Sequence, residues 1–454
     1  MKAVGLDIVT TTICAVVVEI DTGTILQTRT VPNDTVIKSP YSFERLQDPA
    51  RILEKVFRIL EELIMPLDSI ACVGVTGQMH GIVYLDNNGD AVSPLYYWQD
   101  ESGNEPYSDS MSFAEFLSKQ TGFKMASGFG CTTYFYHARN GRVPSGAVKF
   151  CTIHDYVAMK LCGRKEPLVH SSDAASFGLF DLNTLAFDAA AIDKAALDFR
   201  LFPDTTAGFE TAGLYKERIP VSVAIGDNQA SFLGSVRDMG SSILVNVGTG
   251  SQISYLTGDT DAPAGTEIRP CFGDKYLCVG SSLCGGRAFA ALEGFLRETA
   301  VLITGEPCNS AYPAIDRYLA QGSRPENPLK VSTLFCGTRD NPALRGSVEN
   351  LGTDNFTPGH FIWGVLEGMA GELRAMYHPA EGQKHTTLVG SGNALRKNPA
   401  LQALFAECFG MELMIPAHNE EAAFGAVLFG LAAAGFEKNI EAAQSIIQYR
   451  QVML

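Results

Sequence analysis

The sequence predicts an α/β protein of two similar domains, and three observations lead there. The chain has 454 residues, too many for one hydrophobic core and suited to two domains of roughly 200 residues each. Apolar strands alternate with helical repeats along most of its length. A strand–polar turn–strand unit at the N-terminus recurs near the middle, which suggests a duplicated domain.

The first unit runs from Lys2–Leu6 through the polar turn Asp7-Ile8-Val9-Thr10-Thr11-Thr12 to Ile13–Ile20. Asp21-Thr22-Gly23 then turns the chain into a third strand. The second unit runs from Ser242–Val247 through Gly248-Thr249-Gly250-Ser251 to Gln252–Thr257. Helices and strands alternate after each. Ile52, Leu53, Val56, Phe57, Leu60, Leu63 and Ile64 recur at helical spacing, with Pro66 expected to end that helix. Ile70–Val75 reads as a buried strand leading into Gly77-Gln78-Met79-His80-Gly81, and Ile219–Ile225 as another leading into Asp227. In the second half, Gly286–Ile303, His360–Tyr377 and Glu420–Ala434 read as helices, and Leu388-Val389 as a short strand before Gly390-Ser391-Gly392. Asn398 is a fitting cap for a helix with Pro399 in its first turn. The domain boundary is expected near Phe232–Val236.

Composition removes several classes of function. The net charge of −15 and the lack of a basic stripe argue against a nucleic-acid backbone as partner. An anionic substrate would have to be met by backbone N–H groups, helix N-termini and a metal ion. The most apolar stretch, Ala422–Phe436, is shorter than the ~20 residues that span a bilayer. Eleven cysteines occur without a CxxC pair, so core packing in a reducing cytoplasm is expected rather than zinc or disulfides.

Phosphoryl transfer needs turns that approach phosphates, a carboxylate near a metal, and a base for the attacking hydroxyl. Asp7 to Thr12 and Gly248 to Ser251 offer two such turns, although each is equally an ordinary hairpin turn. Asp227 stands at a strand's C-terminal end, where it could accept a hydroxyl proton; a helix N-cap is the competing role. Met79, His80 and the Trp98-Gln99-Asp100 segment have the mixed apolar and polar character of a sugar site, and equally that of a buried Trp and a hydrogen-bonded His.

Asp7 with its threonines, GQMHG, WQD, GDNQAS, NVGTGS, GSGNALRKNPALQ and EEAAFGAV stand in the order and spacing of the FGGY carbohydrate kinases, which the chain resembles from residue 1 to about residue 435. The resemblance implies two actin-like (ribonuclease H-like, ASKHA) domains with an active-site cleft between them. Residues 1–233 would bind sugar and residues 234–454 would bind ATP. It implies Asp227 as catalytic base, and Asp7 as the carboxylate near Mg²⁺. Met79, His80 and Asp100 would be sugar contacts. Thr11, Thr12, Gly248, Thr249, Gly286, Gly392 and Asn398 would lie on the nucleotide side. The TGF…GFGCT pattern of Thr121–Thr132, Ile153-His154-Asp155-Tyr156-Val157, Leu161-Cys162-Gly163 and Asp173–Gly178 resemble the branch acting on ketoses, with sedoheptulose as the expected acceptor. Small-molecule sugar and ATP are the implied partners, and a homodimer is compatible with the family. Two positions depart from the family pattern. Val9 stands where Gly is usual, and Ser102 where Arg is usual, which leaves the exact sugar open. Xylulokinase activity, an actin- or chaperone-like nucleotide switch and a sugar-binding sensor are the competing readings.

Overall fold

In the computed structural model, β1 (Lys2–Ile8) and β2 (Thr12–Glu19) form an antiparallel hairpin extended by β3 (Thr24–Pro32). The structure describes residues 1–65, 69–322, 324–338 and 341–450. β1 and β2 are apolar on both faces and almost wholly buried, as expected of central strands. Helix α1 (Pro49–Ile64) starts where the Asp48 side chain accepts the Ala50 and Arg51 N–H groups, and it buries Ile52, Val56, Ile59, Leu60 and Leu63. Pro66, expected to end it, lies outside the described residues. β4 (Ile70–Gly77) then lies parallel to β1.

The same unit continues through α2 (Ile153–Leu161), α3 (Ser171–Phe177), β5 (Thr211–Tyr215), β6 (Ile219–Ser222), β7 (Ile225–Gly226) and α4 (Asp227–Ser235). Its sheet has the order β5-β6-β4-β1-β2-β3, with β7 paired to β4. The strand expected over Ile219–Ile225 is two short pieces, because the Val223 N–H turns aside to the Glu210 carbonyl.

The second unit repeats the plan. Its strands are β8 (Ser242–Val247), β9 (Ser251–Thr257), β10 (Thr266–Phe272) as far as Ile268, β11 (Lys275–Ser282) from Leu277, β12 (Thr387–Ser391), β13 (Glu412–Pro416) and β14 (Tyr449–Arg450). They form a sheet of order β10-β11-β9-β8-β12-β13-β14. Here too an antiparallel hairpin, β8 with β9, has a parallel neighbour, β12, beside its first strand. Helices α5 (Gly285–Thr304), α6 (Pro358–Ala375) and α7 (Pro399–Phe409) bury Leu292, Trp363, Leu366 and Phe405 in the core of this unit.

Compact units divide the chain as Met1–Arg237, Arg269–Tyr276 and His418–Ile447 on one side, and Asp238–Ile268, Leu277–Ala417 and Gln448 onward on the other. The first crossing falls between Arg237 and Asp238. The return of the helix Glu421–Ala433 to the first unit rests on close backbone packing that a linear reading does not carry. Among the described residues, no helix is long and apolar enough to cross a membrane.

Candidate active site

Three parallel strands of the first unit end side by side. Asp7 pairs with Thr76, which pairs with Ile225; Ile8 pairs with Gly77, which pairs with Gly226. This register delivers Asp7, the Gln78-Met79-His80 segment and Asp227 to the C-terminal edge of one sheet, the usual position of functional groups in α/β folds. The Gln78 N–H continues the ladder to the Ile8 carbonyl at 2.9 Å. Met79 is buried, and its sulfur packs so near Gly226 that a Cβ there would lie 2.7 Å from it. The Met79 and Gln229 side-chain ends thus pack directly against the Gly226 backbone, just before Asp227.

His80 has a positive φ of 73°, uncommon for a residue with a side chain. The Gly81 N–H closes a tight turn onto the Met79 carbonyl. Ser176 offsets the strain from two directions: its hydroxyl accepts the His80 N–H at 3.0 Å, and its carbonyl accepts from His80 Nδ1 at 2.8 Å. Phe129 stacks on the imidazole at 4.9 Å between centroids.

Asp227 is the first residue of α4, and Gly226 stands at the N-cap. The competing role for Asp227, as the helix cap, is thus not what the structure shows. Burial raises the Asp227 carboxyl above its ordinary range, opposed by His154, Arg269 and the Asn228 N–H. Burial, with Asp227 and Glu420 nearby, raises Asp7 to about 8, and Asp7 Oδ1 is buried without a hydrogen-bond partner. Behind them, His154 Nε2 lies 3.0 Å from Asp173 Oδ1, both side chains wholly buried. Burial lowers His154 and raises Asp173, each change favouring the uncharged form. Burial, with Asp173 beside it, raises Asp155 to about 8.

The other expected residues divide. Thr11 is exposed and Thr12 begins β2, with the Val9 N–H bonded to the Thr12 carbonyl at 3.0 Å. Val9 is not among the residues of positive φ, so its β-branch fits the turn without strain. Asp100 is 1% exposed; its carboxylate accepts the backbone N–H groups of Arg45 and Ser102 at 3.2 and 3.1 Å. Its neighbour Trp98 is 46% exposed, and its indole N–H donates to Thr10 Oγ1 at 2.9 Å. Ser102 is fully buried.

In the second unit the Gly248–Gly250 turn, Gly286 and Gly392 come together. The Gly286 N–H donates to the Gly248 carbonyl at 2.8 Å, and that of Arg287 to Thr249 at 3.1 Å. Gly392 has φ 83°, and a Cβ there would meet the Val247 carbonyl oxygen at 2.6 Å. Glycine backbones at a helix N-terminus form a surface that can approach phosphates closely. Asn398 stands apart in role, because its Oδ1 caps α7 through the Leu401 N–H at 3.0 Å.

The sequence reading left out Glu420, His154, Asp155, Asp173 and Arg269 as site residues. His154, Asp155 and Asp173 lie in segments read as marks of a branch rather than of chemistry. Glu420 opens the helix of the EEAAFGAV segment.

Comparison with known proteins agrees with this geometry. The N-terminal domain of the FGGY family of carbohydrate kinases matches residues 2–234, and its C-terminal domain residues 317–434. The chain is 28% identical to a sedoheptulokinase of Mus musculus, over 85% of this chain and 86% of that protein. Gluconate kinase of Lactobacillus acidophilus superposes with TM-score 0.84 at 18% identity, covering 99% of this chain and 92% of the other. Xylulose kinase of Rhodospirillum rubrum superposes with TM-score 0.84 at 20% identity, covering 100% and 94%. With strand-end carboxylates in one unit, a glycine-lined turn in the other and both family domains matched along the chain, the protein belongs to the FGGY family of carbohydrate kinases and is an ATP-dependent sugar kinase.

Proposed function

We propose that the protein transfers the γ-phosphoryl group of ATP to the terminal hydroxyl of a ketose, sedoheptulose, giving sedoheptulose 7-phosphate. The observation that carries this reading is the convergence of Asp7, His80 and Asp227 on neighbouring strand ends. The similarity to a sedoheptulokinase supports the choice of sugar. The cysteines are all free, which supports a reducing, cytoplasmic setting.

Asp227 is the base. Its carboxylate takes the proton of the sugar hydroxyl as the hydroxyl oxygen attacks phosphorus. His154 and Arg269 favour its ionised form against the effect of burial. Met79 and His80 contact the sugar, and Trp98 offers its indole as an apolar face. The buried Asp100 shapes the turn that carries Trp98, through the bonds to Arg45 and Ser102. Thr11 and Thr12 meet phosphate on the first unit. On the second, the Gly248–Thr249 turn with Gly286 and Gly392 takes the nucleotide.

Mg²⁺ fits this site. Asp7 Oδ1 is buried and without a partner, and Asp227 and Glu420 crowd the same region with negative charge that a cation would balance. Asp7 would hold the ion, directly or through water, and the ion would supply neutralisation of phosphate charge.

The test is a panel of sedoheptulose, xylulose, gluconate and glycerol, assayed for ADP release with Mg²⁺ and ATP. The expected outcome is the highest kcat/KM for sedoheptulose. A xylulose preference of about tenfold or more would reject the proposed sugar while leaving the sugar kinase intact.

A further inference from the structure

We propose that α3 (Ser171–Phe177) is a positioning helix that sets the base segment and the sugar-contact segment together, through Ser172 and Ser176. The inference rests on the reading of Asp227 as base and His80 as sugar contact given above.

Residues four apart on a helix stand one above the other on the same face. Ser172 and Ser176 are so related and are 1% and 5% exposed. Ser172 Oγ accepts the N–H of Gly226, the residue before Asp227, at 3.1 Å. Ser176 Oγ accepts the N–H of His80 at 3.0 Å. One face of one short helix thus holds the backbone at both functional segments.

Both hydroxyls are oriented to do this. His170 Nδ1 accepts the Ser172 backbone N–H at 3.2 Å, so it carries no proton, and the Ser172 hydroxyl 2.9 Å away donates to it. The Ser172 lone pairs then face Gly226. The Ser176 hydroxyl donates to the Asp173 carbonyl at 2.7 Å, which leaves its lone pairs for His80. Neither serine has a place in the phosphoryl-transfer chemistry, and both lie where a packed core would accept alanine.

The two bonds serve different steps, so their loss should separate kinetically. Ser172→Ala frees the Gly226 amide and lets Asp227 drift. The expected effect is a fall in kcat of about tenfold with sugar KM within about twofold, the scale of one buried hydrogen bond. Ser176→Ala releases the strained His80 turn; sugar KM should rise about five- to tenfold while kcat falls less than about threefold. Ser171 is buried on the same helix and its hydroxyl has no partner, so Ser171→Ala should leave both constants unchanged. Ser176→Thr, which keeps the hydroxyl, should restore much of the sugar KM.

Far-UV circular dichroism and Tm are recorded for every variant. Equal shifts of kcat and KM in the two alanine variants, or the same shifts in Ser171→Ala, reduce α3 to general support and overturn the proposal. If Ser172→Ala does not fold, Ser172→Cys, which keeps the volume with a poor acceptor, takes its place with the same expected fall in kcat. Asp227→Asn distinguishes the two levels. Near-parental kcat in that variant removes the base itself, whereas loss of activity there with unchanged Ser172→Ala kinetics removes only the positioning role.

Discussion

A Cβ on Gly5 would lie 1.9 Å from the carbonyl oxygen of Ala423, so the first strand and the last long helix of the first unit meet backbone to backbone. Gly74 repeats this against the Ala426 carbonyl at 1.8 Å. These atoms belong to a strand and a helix and cannot swing aside as a side chain tip can. Gly5→Ala should therefore destabilise the protein by about 3 kcal/mol, read as a lower urea midpoint. A midpoint equal to the parent's would show that the helix is free to move off the sheet.

Asp227→Asn should lower kcat by ~10²–10⁴, the usual worth of a general base. Gly226 occupies the N-cap and Asp227 the first helical position, so the substitution removes no cap. ATP affinity, followed by titration calorimetry, should persist. Sugar phosphorylation at near-parental kcat would exclude Asp227 as the base.

Asp7→Asn separates activity from stability. Burial, then Asp227 and Glu420, raise this carboxyl from 3.8 to about 8. Between those values the folded protein keeps a proton that the unfolded chain releases. The group therefore makes the free protein less stable as pH rises from about 4 to about 8. The variant should show a shallower fall of Tm across that window and a Tm at pH 8 a few degrees above the parent's, roughly 2–4 °C for each kcal/mol. Turnover should drop sharply, and the Mg²⁺ concentration required should rise. A steeper fall of Tm would contradict the sign of the shift.

Trp98 donates into a closed ring of hydrogen bonds formed by Thr10, Gln78 and Gln47. Its Nε1–H donates to Thr10 Oγ1 at 2.9 Å, and Thr10 Oγ1 donates to Gln78 Oε1 at 2.8 Å. Gln78 Nε2 donates to Gln47 Oε1 at 2.9 Å, and Gln47 Nε2 returns to the Thr10 carbonyl at 2.8 Å. Trp98→Phe keeps an aromatic face and loses one bond; sugar KM should rise about threefold. Trp98→Ala should raise it about tenfold or more, with ATP KM unchanged in both. An unaltered sugar KM in Trp98→Ala would place the indole outside the sugar site.

What could be read along the chain was local. Ile52, Val56 and Leu60 mark the buried face of α1 because helical period and apolar spacing coincide. Asn398 before Pro399 caps a helix because an Asx side chain reaches the third amide on, here that of Leu401. The turns Asp7–Thr12 and Gly248–Ser251 each follow a mostly apolar strand. The strand ends bearing Asp7 and Asp227 were legible for the same reason, since strand direction alone places their C-termini.

The rest depends on contacts between residues far apart. The Gly226 amide reaches Ser172 across 54 positions, and the Cys14 thiol reaches Glu420 across 406. Nothing in the immediate neighbours of Asp100 says that its carboxylate will be spent on the amides of Arg45 and Ser102 while Trp98 faces outward. Nor does local pattern say that Asp7, Asp155 and Asp173 will all lose their water. How readily a carboxylate holds its proton is set by what replaces that water and which charges stand nearby. Both follow from how strands and helices pack in three dimensions, where residues at opposite ends of the chain become neighbours.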